Sequence, residues 1–344
     1  MDNLKKDIIN SITHKNIDID LNQLNYSNNT ADIFNVCIDK IDYIGKIFDI
    51  SKTDTKKFLA LNEFHFYENI INYFNNIIKI PTFYNFIKND EGQTYGIILE
   101  NLNIPNKIDY LDIDLINIII DHISKLHIYY WNKSNIIENI LNYKNNAAYI
   151  IEEKIKKDII YYFYNIKNIF DDNLYNIFDK LLNKNNLINN HNNNDNNNTN
   201  PLNKTLIHGS LKIENIILIK NPLIESVFQE EIIPYFIDWS LYKLGYGVED
   251  ILFLLIFSLD KDLFLNNVDN IIHLYFQKIN KYMSIFQKNE SLNEFNDHIK
   301  QSLLDFILHA LIGLFIKNHF SKIKNEKLHI YLDNYLYLIN KYNI

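Results

Sequence analysis

Hydrophobic and polar residues alternate in much of the first hundred positions, as they do in β-strands with one buried face. Phe34, Val36 and Ile38 lie on one side of the stretch 25–49, which begins with a polar turn, and a second run, DYIGKIFDI, covers 42–50. Two more such runs flank the charged, glycine-containing turn at 89–92, which is typical of a hairpin. This part of the chain is therefore predicted to form an antiparallel sheet.

A second pattern, with apolar residues three and four positions apart, predicts helices. It covers 54–77, between the two predicted hairpins, and 112–131. It returns as a helix pair over 134–182 and as three or four amphipathic helices over 263–344. The chain is therefore predicted to have an α+β fold, with a small sheet-containing part and a larger, mainly helical part.

The predicted helix over 54–77 carries Glu63 beside its apolar positions. A carboxylate buried there without a partner would be costly in free energy, and Lys46 on the preceding strand would satisfy it. The simpler alternatives are that Glu63 lies at the solvent boundary and that Lys46 faces solvent, as most strand lysines do. We predict the ion pair.

Two short apolar runs each place a polar side chain at one end. Asn215 precedes the run IILI in the stretch TLIHGSLKIENIILI, and Asp238 follows the strand-like run in YFIDWS. Magnesium prefers oxygen ligands, usually one or two carboxylate or amide side chains together with phosphate oxygens and water. Asn215 and Asp238 are therefore predicted to be the protein ligands of a magnesium and phosphate site.

Two further residues are interpreted as mainly structural. His127 lies on the apolar face of the helix over 112–131, where a histidine with satisfied hydrogen bonds is more common than a metal ligand. Glu249 and Asp250 begin a helix, at the end where the helix dipole favours acidic side chains. Asp250 is therefore predicted to cap the helix and brace the structure. A role in binding the acceptor substrate is the less favoured alternative.

Composition narrows the classes of partner. All 34 basic residues of this 344-residue chain are lysine, so phosphate contacts would come from lysine, backbone N–H groups or a metal. The net charge of −8 argues against nucleic acid as a partner. The single cysteine, Cys37, excludes an intrachain disulfide.

The most apolar and the most polar segments of the chain predict its cellular location and one inserted segment. The N-terminal stretch 1–12 has the pattern of an amphipathic helix, and the apolar segments 251–259 and 303–316 are shorter than the roughly 20 residues of a membrane span. We expect no membrane span and a cytoplasmic location. The asparagine-rich tract 183–200 is too polar for burial and is predicted to be a disordered insertion.

Two strings resemble the signature of a known superfamily. HGSLKIENIIL at 208–218, followed by FIDWS at 236–240, is similar to the HGD-x-x-x-x-N and IDW/IDF pair of the aminoglycoside phosphotransferase and choline kinase superfamily. Members of that superfamily have a fold like that of protein kinases. The resemblance implies ATP and Mg²⁺ as cofactors and the hydroxyl group of a small molecule as the acceptor.

Further strings extend the resemblance along the chain. The E-x-x-F-Y string that begins at Glu63 and the string LHIYYW at 126–131 are closest to the ecdysteroid-kinase-like branch. GYGVED, with Gly245, Gly247 and Asp250, is similar to the family's G-x-G-x-x-D-L segment. The implied architecture is a bilobal, protein-kinase-like fold, with an N-lobe over 1–102 and a helical C-lobe over 103–344.

The resemblance also implies roles for individual residues. The implied nucleotide-binding residues are Lys46, Glu63, Asn29, Thr30, Glu100 and Leu102, and the implied metal ligands are Asn215 and Asp238. The loop between 206 and 219 would supply Ser210, Lys212 and Glu214 to catalysis, with His208, Gly209 and Asp250 as structural residues around it. For Asn29 and Thr30 a plain polar turn is the alternative, and for Lys212 a solvated loop position.

One position departs from the family pattern. Ser210 stands where the family has its catalytic aspartate, which accepts the proton of the acceptor hydroxyl and contributes on the order of 10² to 10⁴ in rate. Three interpretations stay open: a weak kinase in which Glu214 or water takes the proton, a pseudokinase that binds nucleotide, and a copy that keeps only the fold. The acceptor is open too, since acidic clusters suit an amino alcohol or aminoglycoside and the ecdysteroid-kinase-like strings suit a hydrophobic alcohol.

Overall fold

The computed structural model describes residues 7, 19–23, 31–38, 40–49, 54–73, 77–102, 111–131, 148–194, 204–220, 232–284, 290–321 and 325–344. Apart from residue 7, the predicted N-terminal helix lies outside these ranges, and so does the turn with Asn29 and Thr30. The chain divides into two compact units. The first unit comprises 1–109 and 215–242, and the second comprises 110–214 and 243–344.

Nine strands lie in the described part of the chain, and five of them form the predicted antiparallel sheet in the first unit, in the order β1-β2-β3-β5-β4. Phe34, Val36 and Ile38 form one buried cluster with Ile87 and Ile98, which confirms the alternating pattern. The strands are β1 (Ile19–Gln23), β2 (Ala31–Ile38), β3 (Ile41–Phe48), β4 (Phe83–Lys88), β5 (Thr94–Glu100), β6 (Thr205–Ile207), β7 (Ile216–Lys220), β8 (Ile232–Phe236) and β9 (Lys243–Gly245).

Helix α1 (Asp54–His65) follows β3 and continues as one π-helical turn over Phe66–Ile70 and a 3-10 turn over Ile71–Tyr73. The predicted helix over 54–77 is thus confirmed as far as Tyr73. The π turn begins with two consecutive aromatic residues, Phe66 and Tyr67, which are buried at 0% and 1% exposure. Glu63 lies one turn before them and is buried with them.

The hairpin of β7 and β8 belongs to the first unit, although it comes more than a hundred residues after the sheet. Lys79 pairs with Tyr235 in an isolated bridge, and Phe66 stacks on Trp239 with ring centroids 4.4 Å apart. The first unit therefore includes 215–242, which packs against α1, in addition to the predicted N-lobe over 1–102. Asn215 and Asp238 consequently lie in the same unit as Lys46 and Glu63.

The second unit is mainly helical, as predicted. Helix α2 begins after Asp112, whose carboxylate accepts a hydrogen bond from the backbone N–H of Leu115 at 2.9 Å, and α5 is buried from Val248 to Phe257. Strands β6 and β9 pair antiparallel. The helices are α2 (Ile113–Tyr130), α3 (Ala148–Asn165), α4 (Asp172–Asn194), α5 (Val248–Ser258), α6 (Lys261–Met283), α7 (Leu292–Ser302), α8 (Leu308–Phe320) and α9 (Leu328–Lys341).

Helix α4 runs into the asparagine-rich tract, which corrects the prediction of disorder from residue 183. The helix reaches Asn194, and the rest of the tract lies outside the described residues. Asparagine is a poor helix former, but adding residues to an existing helix requires no new nucleation. The amphipathic beginning of α4, with Leu174, Phe178 and Leu181 buried, supplies that nucleus.

Helices α7 and α8 are continuous through a π-helical turn over Leu303–Ile307. In the described ranges, this run from Leu292 to Phe320 is the one helix long and apolar enough to cross a membrane by length and composition. Half of its most apolar window is buried inside the protein, and a core helix passes the same test. The absence of a membrane span therefore stays a prediction.

Candidate functional site

One lysine lies between two carboxylates in the first unit. The Nζ atom of Lys46 donates a hydrogen bond to Glu63 Oε2 at 2.6 Å and another to Asp238 Oδ1 at 3.0 Å. Lys46 is 5% exposed and Glu63 is fully buried. The predicted ion pair is confirmed, and the solvent-facing alternatives for both residues are wrong.

Three different elements position these side chains. Lys46 lies on β3, which has β2 on one side and β5 on the other, opposite Ile33 and Ile97. Glu63 lies near the end of α1, and Asp238 comes two residues after β8 ends. Since hydrogen-bonded neighbours hold β3 on both edges, the lysine has a fixed base from which to reach both carboxylates.

The charges in this cluster do not balance, because two carboxylates share one ammonium. Burial raises the pKa of Glu63 to about 7; the charge of Lys46 opposes this rise and the charge of Asp238 adds to it. Burial alone would lower the pKa of Lys46, but the charges of Asp238 and Glu63 raise it above its ordinary value. The lysine therefore stays protonated while Glu63 holds its proton more tightly than an exposed glutamate does.

Two buried oxygen atoms near the lysine have no hydrogen-bond partner among the described residues: Glu63 Oε1 and the hydroxyl of Tyr67. Burial, followed by the charges of Glu63 and Asp238, raises the pKa of Tyr67 well above its ordinary value. Unsatisfied buried polar atoms are uncommon in folded proteins and are often associated with function. The cluster thus retains hydrogen-bonding capacity that the described residues leave unused.

Asp238 has a backbone conformation that is rare for a residue with a side chain. Its φ and ψ angles are 63° and 67°, in the left-handed region. The hydroxyl of Ser240 donates to Asp238 Oδ1 at 2.9 Å, beside the bond from Lys46. The carboxylate is still partly exposed, at 17%, so it is accessible to a ligand. Such conformations persist where surrounding contacts enforce them, and they occur often at functional sites.

The hairpin of β7 and β8 places Asn215 beside Ile237, the residue before Asp238. The backbone carbonyl of Asn215 accepts a hydrogen bond from the N–H of Ile237 at 3.0 Å, and Asn215 is 5% exposed. Amide and carboxylate oxygens suit Mg²⁺. In the part of the chain that the structure describes, no three His, Cys, Asp or Glu side chains group to hold a metal.

The other predicted nucleotide contacts lie at the end of β5. Glu100 is its last residue, and its Oε2 atom accepts hydrogen bonds from the backbone N–H and the hydroxyl of Thr82 at 2.9 and 2.8 Å. Leu102 follows and is half-buried. These contacts hold the end of β5 in place, and backbone recognition of a nucleotide there stays a prediction.

In the second unit, Asp250 braces the loop that contains His208 and Gly209, as predicted. Its Oδ2 atom accepts from the backbone N–H of His208 at 2.8 Å and from His127 Nε2 at 3.1 Å, and its Oδ1 atom accepts from the N–H of Gly209 at 2.9 Å. Gly209 has φ 75°, which explains a glycine at this turn. Asp250 lies in the first turn of α5, where Gly247 occupies the capping position, so its role is bracing and not capping.

His127 is a core histidine with satisfied hydrogen bonds, as predicted. It is fully buried, and its Nδ1 atom lies 2.9 Å from the hydroxyl of Tyr275. A Cβ atom at Gly247 would lie 2.1 Å from the Tyr275 hydroxyl and 2.7 Å from His127 Nδ1. The second glycine of GYGVED is therefore needed for close packing against these two side chains.

Three further residues with predicted roles, Ser210, Lys212 and Glu214, lie in the same loop. Ser210 is 9% exposed, and its N–H donates to His208 Nδ1 at 3.3 Å, while the N–H of Ile213 donates to Ser258 Oγ at 2.9 Å. Glu214 is exposed; burial, followed by its charge, raises the pKa of Tyr331 on α9 to about 12. Burial, followed by the charge of Lys212, lowers the pKa of Lys317 on α8. The catalytic roles of Ser210, Lys212 and Glu214 stay predictions.

Three residues that the sequence patterns did not single out also support these clusters: Asn62, Ser240 and Tyr275. Asn62 precedes Glu63 on the apolar side of the predicted helix, and a polar residue in that arc is the one signal that points to it. Ser240 is part of FIDWS but has no role in the motif. Tyr275 has no signal beyond its place in an amphipathic helix.

No protein-family model matches the sequence, and no curated protein matches it. Among solved structures, the chain is similar to aminoglycoside phosphotransferase APH(4)-Ia, with 11% identity, a TM-score of 0.50 and 98% of each chain covered. A thermostable mutant of that protein in ternary complex with AMP-PNP and hygromycin B has 11% identity, a TM-score of 0.47 and coverage of 99% of this chain and 96% of that chain. A choline kinase from Cryptosporidium parvum Iowa II has 14% identity, a TM-score of 0.49 and coverage of 94% and 89%.

At these identities the likeness concerns the fold alone. The chain has the α+β fold of APH(4)-Ia, with an N-terminal antiparallel sheet and a mainly helical remainder, which confirms the predicted fold class. The resemblance to the ecdysteroid-kinase-like branch stays a prediction.

Proposed function

We propose that this protein belongs to the aminoglycoside phosphotransferase and choline kinase superfamily, binds ATP with Mg²⁺, and transfers a phosphoryl group to the hydroxyl of a small molecule. The Lys46–Glu63–Asp238 cluster carries the proposal. Burying the ionisable groups of Lys46 and Glu63 is costly in free energy, and apolar side chains of similar volume often stabilise a core as well or better. A buried cluster with unbalanced charge and an unusual pKa is therefore better explained by function than by stability.

Each member of the cluster has a role in this proposal. The ammonium of Lys46 binds phosphate oxygens, and Glu63 orients it through the 2.6 Å hydrogen bond. Asp238 and Asn215 would hold the metal. Bound magnesium would supply positive charge that offsets the phosphate oxygens. Because the bond from Lys46 to Asp238 is the longer of its two, at 3.0 Å, a phosphate oxygen can replace Asp238 without loss of the pair with Glu63.

Other parts of the proposal rest on the sequence resemblance. The backbone from Glu100 to Leu102 would read the adenine edge, Asn29 and Thr30 would lie near the phosphates, and Lys212 would lie near the transferring phosphoryl group. The acceptor is an amino alcohol, an aminoglycoside or a hydrophobic alcohol, and the location is cytoplasmic.

A pseudokinase that binds nucleotide and acts through its surface is the second candidate, because Ser210 supplies no carboxylate. A serine hydroxyl is not a useful base near neutral pH, whereas the loop around it is held intact by the bonds from His208 and Gly209 to Asp250. Within this loop the one carboxylate is that of Glu214, which is exposed. In the active kinase, Glu214 or water would take the proton.

A thermal-shift titration tests nucleotide binding. ATP with magnesium should stabilise the protein by about 2.7 kcal/mol at a hundred times the dissociation constant, and the same concentration of ATP with a chelator should stabilise it much less. Asp238→Ala should abolish the shift, while Asp333→Ala, which removes an exposed carboxylate of the second unit, should keep it. If ATP and magnesium do not shift the unmodified protein, the proposal is wrong and only the fold is shared.

ADP release against pooled amino alcohols, aminoglycosides and sterols separates the two candidates. Turnover by the unmodified protein that Glu214→Gln abolishes would establish a kinase with a displaced base. If only Ser210→Asp turns over, the natural protein is a pseudokinase whose silence is due to the missing carboxylate.

A further inference from the structure

Helix α1 contacts the segment after β8 through a residue outside every motif considered above. Asn62 is 2% exposed and directly precedes Glu63. Its Nδ2 atom donates to the backbone carbonyl of Ser240 at 2.7 Å and lies 3.4 Å from that of Tyr242. Two consecutive residues of α1 thus have different partners. Glu63 bonds the side chain of Lys46, and Asn62 bonds the backbone of Ser240, two residues after Asp238.

Other contacts keep the same segment against the helix. Phe66 stacks on Trp239 with an angle of 4° between the rings, and His65 Nδ1 lies 2.6 Å from the hydroxyl of Tyr242. The Asn62 bond differs from these side-chain contacts because its acceptor is the backbone carbonyl of Ser240. The hydroxyl of that same Ser240 donates to Asp238 Oδ1.

The conformation of Asp238 gives this connection its importance. A left-handed residue other than glycine costs about 1 kcal/mol or more, so nearby contacts must oppose its relaxation. The Asn62 amide uses its N–H₂ end for this purpose, while its Oδ1 atom has no hydrogen-bond partner in the described part of the chain. The backbone carbonyls of Ser240 and Tyr242 can only accept hydrogen bonds, so the side chain at position 62 has to present a donor to them.

We propose that Asn62 is a positioning residue that fixes the metal-binding carboxylate of Asp238 through Ser240. The inference rests on the proposed binding of ATP with magnesium. It adds that the helix which orients the phosphate-binding lysine also orients the metal ligand, so that a shift of α1 disturbs both at once.

The test is the ratio of ATP dissociation constants measured by calorimetry with a chelator and with magnesium. Asn62→Asp keeps the shape but removes the donor, and it should reduce this ratio about tenfold, as changes next to metal ligands commonly do. Binding with the chelator should change much less, because Lys46 and Glu63 are untouched. Asn69→Asp is the matched control, since Asn69 is exposed about two turns further along the same helical run, and it should leave the ratio unchanged.

Because Asn62→Asp buries a carboxylate and can unfold the protein, Ser240→Ala provides a second variant that removes only the hydroxyl bonded to Asp238. It should reduce the same ratio by a smaller factor. A ratio equal to that of the unmodified protein in Ser240→Ala, and in Asn62→Asp where it folds, would overturn the inference while the proposed function stands. Failure of the unmodified protein to bind ATP with magnesium would instead overturn the proposed function and the inference with it.

Discussion

Two fully buried carboxylates, Glu63 in the first unit and Asp250 in the second, have opposite electrostatic surroundings. Asp250 accepts three hydrogen bonds, two from backbone N–H groups and one from His127. Glu63 accepts one, from a lysine that it shares with Asp238, and its Oε1 atom has no hydrogen-bond partner among the described residues.

The surroundings shift the pKa values of the two carboxyl groups in opposite directions. Burial acts to raise both. At Asp250 the hydrogen bond and charge of His127, together with His208, outweigh burial and lower the pKa. At Glu63 burial prevails over the shared lysine and the pKa rises to about 7. A buried carboxylate with every oxygen satisfied is a brace, whereas one that shares its cation with a second carboxylate belongs to a site where that cation can exchange a partner for a ligand.

The largest effect is expected at the brace. Asp250→Asn keeps the shape of the side chain but directs an amide N–H₂ group toward donors, so one or more backbone N–H groups lose their acceptor. We expect the free energy of unfolding to fall by about 3 to 5 kcal/mol, measured by urea unfolding. Asp333→Asn, at an exposed ion pair with Lys261, should change it by less than about 0.5 kcal/mol. Equal stability of the two variants would remove the distinction between brace and ligand site.

The second effect is a pH dependence of opposite sign at the two residues. Because the pKa of Glu63 is higher in the folded protein (about 7) than in the unfolded chain (near 4.5), its contribution to stability is complete below pH 4.5 and is lost as the pH rises through 7. The lost contribution is at most about 3 kcal/mol. Asp250, with a lowered pKa, contributes above its ordinary pKa and loses that contribution as the pH falls.

Urea unfolding of the unmodified protein and of Glu63→Gln between about pH 5 and about pH 8 checks this sign. The stability of the unmodified protein relative to the variant should decrease as the pH rises. A difference that stays constant would mean that Glu63 is ionised throughout and that its pair with Lys46 is as well satisfied as Asp250.

The smallest effect is expected at Tyr275, whose hydroxyl contacts His127, the side chain that in turn bonds Asp250. Tyr275→Phe removes the hydroxyl that contacts His127 Nδ1 while leaving the bonds to Asp250 in place, and it should lower the free energy of unfolding by about 1 kcal/mol. Tyr282→Phe on the same helix is the control, because Tyr282 is 41% exposed. A loss as large as that of Asp250→Asn would show that His127 needs Tyr275 to hold its orientation.

Much of the fold and part of the site could be predicted from the sequence, because the relevant signals are local. Alternation in β2 and helical periodicity in α2 repeat over a few residues, and each was confirmed. The Lys46–Glu63 pair was predictable because the two residues are only 17 positions apart, on a strand and the helix that follows, and because a carboxylate on an apolar face needs a partner. His127 as a core residue and Asp250 as a brace followed from similar local reasoning.

Tertiary structure decided the contacts between distant segments. Asn62 meets Ser240 across 178 positions and His127 meets Asp250 across 123, and no periodicity records which polar groups such packing brings together. The same packing assigned 215–242 to the first unit and gave Lys46 its second carboxylate partner, Asp238. The sequence by itself determined the elements and the chemical types of the site residues, because these depend on neighbours along the chain. The partners of each buried polar group depend on which surfaces pack, and only the folded chain establishes that.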